Sequence, residues 1–227
     1  MKKNIPFFSC LCFSILLSAC ASEGQVKGRD FEMRSLLKND IDLVSETHQT
    51  IVRKALIELA IKLYKRNPNQ WRKAGLASRQ QAIAMLEHYP YSRINGKDGI
   101  ACIRQTFDES YQGDRVQSFI AGLQTMIMHA YDNHEEFYMH NLLEAQKLYD
   151  SARNLELAAW LLRTKRKTDG TPFLYSTGEG EQINLSFERL FGKMINAQDM
   201  LAQIMANRTH RQIKNTLQSM ITAFIPI

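Results

Sequence analysis

The sequence predicts an all-α protein, an irregular bundle of about five to six helices, and three observations carry that prediction. Only eleven glycines and five prolines interrupt 227 residues, too little turn material for a β-sandwich that turns about every 8–12 residues. Apolar residues recur at spacings of three and four over long stretches, the pattern of helices with one buried face. No repeat near a period of about 34 or 40 residues holds, which favours an irregular bundle over a helical array. The composition, 44% hydrophobic and 23% charged, is that of an ordinary globular chain and excludes a disordered, collagen-like or multi-span membrane protein.

The chain opens with Lys2 and Lys3, an apolar run from Ile5 to Leu17 and then Leu17-Ser18-Ala19-Cys20. A positive flank, a hydrophobic stretch too short to span a bilayer and small residues before a cysteine resemble the lipobox of bacterial lipoproteins. The resemblance implies a signal peptide over 1–19, lipid on Cys20, and a mature chain that begins there. It also implies a destination. Inner-membrane lipoproteins usually carry Asp after the lipidated cysteine, whereas Ala21 and Ser22 follow here, so a Gram-negative host would place the protein on the outer membrane, facing the periplasm. In a Gram-positive envelope the same anchor would display it outside the plasma membrane. Cys10 and Cys12 leave with the signal, so Cys102 is the one thiol left to the folded body and no internal disulfide can form. Loss of Lys2 and Lys3 lowers the formal charge from +6 to +4, a mildly basic balance that suits anionic head groups or an acidic partner; nucleic acid is not expected.

Residues 20–30 read as the lipidated N-terminus and its tether, whose flexible reach of about 15–20 Å keeps the body near the membrane. Residues 31–227 read as a single helical domain. From Phe31 to Asn67, Leu37, Ile41, Val44, His48, Ile51, Ala55 and Leu59 follow helical spacing until Asn67-Pro68 stops it. Ser78 caps a short helix that runs to His88, and Ile100 to Ser110 suits another. Asp114 caps a central helix expected to run from Arg115 to about Asn141. A helix from Glu144 to about Arg166 follows. Thr168 to Asn184, with Asp169-Gly170, Pro172 and Gly178-Glu179-Gly180, reads as a loop with a small hairpin around Phe173-Leu174-Tyr175. Ser186 then opens a last helix that extends toward Phe224.

No phosphate loop, H-E-x-x-H, C-x-x-C or G-x-S-x-G stands in the mature chain, and no catalytic residue is assigned. On the expected central helix His129, Asp132, Glu136 and His140 share one stripe, with the residue types that hold zinc, manganese or iron. That stripe lies about 120° from the apolar face, where a solvated polar surface is the commoner arrangement. His48 and His134 fall on apolar faces and could meet in the core. Two basic clusters close two helices, Lys62, Lys65, Arg66, Arg72 and Lys73 in one, and Arg163, Lys165, Arg166 and Lys167 in the other. Cations are favoured at helix C-termini in any case. If the fold brings the clusters together, however, they form a surface for anionic lipid or phosphate. Met126, Met128, Met139, Met194, Met200, Met205 and Met220 suit core filling, or an adaptable groove for an acyl chain.

The sequence therefore reads as a membrane-anchored envelope lipoprotein whose helical body binds or scaffolds another envelope component. It has no cofactor besides the covalent lipid. The alternatives are a divalent-metal protein or metal-dependent enzyme using the His129 to His140 stripe, and a carrier of lipid or lipopolysaccharide. Metabolic labelling with palmitate should mark the protein and be lost in Cys20→Ala; label retained by that variant would overturn the anchor.

Overall fold

The computed structural model describes residues 38–88, 93–138, 143–177 and 184–209. The signal segment, Cys20, the tether, Met139, His140 and everything after Thr209 lie outside the described residues. Those described form seven helices, and no strand beyond two isolated bridges.

Helix α1 (Asp40–Arg66) starts later than the Phe31 that periodicity suggested, because Asn39 and Asp42 form a capping box. The Asp42 amide donates to Asn39 Oδ1 at 3.0 Å, and the Asn39 amide donates to Asp42 Oδ2 at 2.9 Å. Two amides that the first turn leaves without helical partners are thereby satisfied. After Asn67 and Pro68 comes α2 (Gln70–Lys73), a single turn that the sequence reading did not include. Ser78 caps α3 (Arg79–Glu87) as expected, taking the Gln81 amide at 3.1 Å. Helix α4 (Gly99–Thr106) follows, shorter than the Ile100 to Ser110 expected.

Helix α5 (Arg115–Ala130) is the axis of the fold. All of its residues except Gln117, Thr125 and His129 are buried. A helix apolar on one side needs one neighbour, and one buried all round must be enclosed. Helices α1 and α4, together with α6 (Ala145–Thr164), pack on α5, with α2 and α3 adding smaller contacts. Helix α7 (Ser186–Thr209) packs extensively on α1 and α6 and closes the bundle. Phe119 on α5 meets Phe107 after α4 and Phe191 on α7 edge to face, with ring centroids 5.9 and 6.5 Å apart. Burying side chains of this size stabilises the fold by about 1.5–3 kcal/mol each.

The N-terminus of α5 is buried and is held by polar groups. Asp114 Oδ1 accepts the Val116 and Gln117 amides at 2.8 and 3.0 Å, and Oδ2 accepts the Tyr64 hydroxyl of α1 at 2.8 Å. Burial pushes the Asp114 carboxyl above its usual range, against these hydrogen bonds that favour the charged form. Tyr64 is pushed up too, first by burial and then by the Asp114 charge beside it. Arg115 is also buried: its Nη1 donates to the Thr106 and Asp108 carbonyls at 2.6 and 2.7 Å, and its Nη2 to the Tyr111 carbonyl at 2.6 Å. The fork thus ties the α4 to α5 connection into one unit.

The C-terminus of α5 departs from expectation. The chain leaves the helix at Tyr131, and Asp132 and Asn133 take the left-handed conformation with φ of 51° and 59°. Asp and Asn tolerate that region better than most residues. The Asn133 amide returns to the Met128 carbonyl at 2.8 Å and closes the turn. The central helix therefore does not reach Asn141.

Helices α4 and α5 touch through Gly122. A Cβ there would stand 2.8 Å from the Gly99 carbonyl oxygen and 2.8 Å from Ile103 Cγ1, closer than such atoms pack. Gly122→Ala should lower the unfolding free energy in urea by about 1–3 kcal/mol, and an unchanged midpoint would show that α4 is not held against α5 as described.

Candidate functional site

The end of α1 and the end of α6 meet the loop that follows α6. Pro68 prevents α1 from continuing, and Asn67 closes it, its amide and its side-chain Nδ2 both donating to the Leu63 carbonyl at 2.8 Å. The same side chain reaches across the molecule. Asn67 Nδ2 donates to the Tyr175 carbonyl and Asn67 Oδ1 accepts the Tyr175 amide, both at 2.8 Å. One buried amide thus stands in for a strand partner and fixes the loop backbone.

The loop itself begins with a tight reversal. Lys167 N–H donates to the Thr171 carbonyl at 2.8 Å, Gly170 takes a φ of 81°, and Arg166 and Pro172 form an antiparallel bridge. The small hairpin expected around Phe173-Leu174-Tyr175 lies a few residues earlier, because Asp169-Gly170 supplies the turn. Asp169 Oδ1 accepts the Thr171 amide and hydroxyl, which hold its carboxyl below the usual carboxylate range. Phe173 then turns inward, 6.0 Å from Phe107 and beneath the Arg115 guanidinium at 5.1 Å.

Between this loop and the three long helices α1, α6 and α7 lies a cleft of about 640 Å³. Arg66 of α1, Arg163 of α6 and Arg166 just beyond it line one side; Leu162, Pro172, Leu174, Tyr175 and Leu185 supply apolar walls. Tyr175 and Leu185 stay 52% and 65% exposed, which for large apolar side chains marks a surface worth explaining. A smaller hollow of about 180 Å³ adjoins it, sharing Leu162, Arg163, Ser176, Thr177 and Glu188, and adds Trp160, 39% exposed. Among the described residues Glu188 is the one carboxylate that lines the cleft. Its Oε1 accepts the Thr177 hydroxyl at 2.7 Å, and its Oε2 is shut away from solvent without a partner.

The arginines differ in occupation. Arg166 Nη1 donates to the Arg163 and Lys165 carbonyls at 2.8 and 3.2 Å and so caps the end of α6. The guanidinium groups of Arg66 and Arg163 have no ion-pair or hydrogen-bond partner among the described residues. The fold thus joins three members of the two basic clusters and leaves the rest elsewhere. Lys62 pairs with Glu58 at 3.7 Å, and Arg72 lies over the Trp71 ring and donates to Asn69 Oδ1. Lys65, Lys73 and Lys165 are exposed, Lys167 is half-buried in the turn, and none of these lines the cleft.

The expected metal stripe is not formed as drawn, because its helix ends at Ala130. His129 is on the last turn of α5. Asp132 sits in the left-handed turn, where its Oδ1 accepts Lys147 Nζ of α6 at 2.7 Å. Glu136 is exposed in the following loop and accepts the Tyr138 hydroxyl, and His140 lies outside the described residues. Among the described residues no group of three or more His, Cys, Asp or Glu side chains is arranged to hold a metal ion.

His48 is half-buried with Nδ1 2.9 Å from the Val44 carbonyl, whereas His134 is exposed and contributes its backbone carbonyl to Gln49 at 2.6 Å. The expectation of His134 on an apolar helix face is corrected by the same early stop of α5. Cys102 is buried, and burial pushes its thiol above the usual range. Met126, Met128, Met194 and Met205 fill the core, while Met200 is exposed.

Comparison of the chain with protein-family models, with curated proteins and with solved structures finds no match in any of the three. The least replaceable support of the cleft is Asn67. Asn67→Ala should cost about 1–3 kcal/mol by leaving the Tyr175 backbone unpaired, and hydrogen exchange of the Tyr175 amide should accelerate; unchanged exchange there would remove Asn67 as the clamp.

Proposed function

We propose that the protein is a lipid-anchored envelope lipoprotein whose helical body is a binding module for another envelope component. Cys20 carries the anchor, the outer membrane is its residence in a Gram-negative host, and the short tether holds the body against the periplasmic face. The observation that supports the binding role is the cleft where Arg66 and Arg163, without partners among the described residues, stand beside exposed Tyr175 and Leu185. Guanidinium forks in that state are unused hydrogen-bond donors in a fixed geometry. Beside them, exposed aromatic and aliphatic side chains supply area whose burial favours association.

Among its described lining residues the cleft carries three arginines against one carboxylate, whose Oε1 is already engaged by the Thr177 hydroxyl, a cationic balance that suits binding. Among the described residues no helix is long and apolar enough to cross a membrane; the lipid on Cys20 is the proposed attachment. A photoreactive residue at Leu185 should capture an envelope component in intact cells, and the yield should fall when Cys20→Ala removes the anchor. The same residue at Met85 of α3, also exposed, should capture none of it. Equal capture at both positions would overturn the cleft as the binding face.

A further inference from the structure

We propose that the ligand of this cleft is the phosphate of an anionic glycerophospholipid head group, read at the bilayer surface while the acyl chains stay in the membrane. The inference rests on the cleft being the binding face. It adds the chemistry of what binds there.

Helix C-termini attract cations, so basic residues at the ends of α1 and α6 could serve only their own helices. The hydrogen bonds assign that task to other groups. Asn67 caps α1 through the Leu63 carbonyl, and Arg166 caps α6 through the Arg163 and Lys165 carbonyls. The guanidinium groups of Arg66 and Arg163 bond neither helix end. Two such forks on one hollow suit an acceptor with several oxygens pointing in different directions, as a tetrahedral phosphate has. Among the described residues that line the cleft the opposing charge is Glu188. Thr177 holds one of its oxygens and the wall shields the other from solvent, and three arginines outnumber it.

An apolar lip borders the arginines. A free phosphate has no use for Tyr175 and Leu185, more than half exposed beside the arginines. The glycerol and the first acyl carbons of a lipid would lie against them and remove them from water. The cleft's volume of about 640 Å³ falls in the range of small-molecule sites, about 300–1,000 Å³. It admits a phosphorylated head group with its glycerol but not a whole diacyl lipid. The cleft therefore reads head groups and does not extract lipid as a carrier must.

The test uses the full lipidated chain, purified from membranes in a non-ionic detergent, with lipid adducts counted by native mass spectrometry. Dioleoyl phosphatidylglycerol should bind at least about tenfold more tightly than dioleoyl phosphatidylcholine, whose choline brings a cation toward the arginines. Arg66→Gln with Arg163→Gln should abolish that preference while circular dichroism stays helical. Lys65→Gln with Lys73→Gln removes the same charge from exposed positions off the cleft and should leave the preference intact. Equal loss in both double variants would mean net charge rather than a site, and would overturn the proposal. Glycerol 3-phosphate competing as tightly as the whole lipid would overturn the lipid source in favour of a soluble phosphate. A protein captured at Leu185 without any preference for phosphatidylglycerol would leave the binding module standing and end this inference; neither capture nor lipid preference would end both.

Discussion

Helix α5 is buried along nearly its whole length and at its N-terminus, and that constraint organises the rest of the molecule. Backbone groups at its ends that the helix leaves without partners and the packing shuts from water need partners inside the protein, since a buried polar group left unpaired costs about 1–3 kcal/mol. At the N-terminus the partner is Asp114, whose second oxygen takes the Tyr64 hydroxyl. A carboxyl buried this far is pushed toward its neutral form, and the three hydrogen bonds to its oxygens offset only part of that push. The position of α1 is thereby tied to the start of α5. At the C-terminus the solution is conformational: two residues able to adopt positive φ reverse the chain and return an amide to the Met128 carbonyl.

The same constraint reaches the cleft. Arg115 follows Asp114 directly, and its guanidinium satisfies three carbonyls of the α4 to α5 connection. With its edge donors so engaged, the flat face of the group is left for stacking, and Phe173 lies there. Two residues later Tyr175 is fixed by Asn67, and two after that Thr177 donates to Glu188 of α7. Alternate residues of this short segment are thus attached to α5, α1 and α7 in turn. Leu174 goes into the core, and Tyr175 is left facing solvent. The loop has little regular structure, but its attachments run to the helices of the bundle and, through Thr168 and Glu109, to the α4 to α5 connection.

Local rules account for what the sequence revealed and for what it withheld. The stop of α1 at Asn67-Pro68, the caps Ser78 and Asp114 and the span of α6 all follow from residues within a turn of the feature they set. The late start of α1 was also local, in the Asn39 and Asp42 pair, and the long apolar pattern upstream obscured it. The end of α5 was harder: Phe137 keeps the helical phase and is buried, so periodicity continues past the point where the backbone stops. The adjacent Asp132-Asn133 was the available signal. The cleft was half visible, since both basic clusters stood out, but Arg66, Arg163 and Arg166 share it only through the tertiary fold, in which Asn67 bonds Tyr175 across 108 positions. No spacing rule reaches that far, and none picks Arg66 and Arg163 out of nine cations.

Fixed walls decide what such a cleft can do. The cleft draws residues from α1, α6 and α7, and the contacts of α7 with α6 and with α1 are among the most extensive in the bundle. Its apolar walls belong to the packed core on one side, through Leu162 and Leu174, and to the clamped loop on the other. Ordering a flexible loop around a ligand consumes much of the energy gained on contact, and a preformed site avoids that cost. The flexible parts are the arginine side chains themselves, long and attached to rigid helix ends. A site of this kind loses rotamer freedom in two or three side chains on binding, and gains charge-assisted hydrogen bonds in a hollow with less water around it than open surface. A compact anion, as proposed, would suit that geometry better than a large, adaptable ligand.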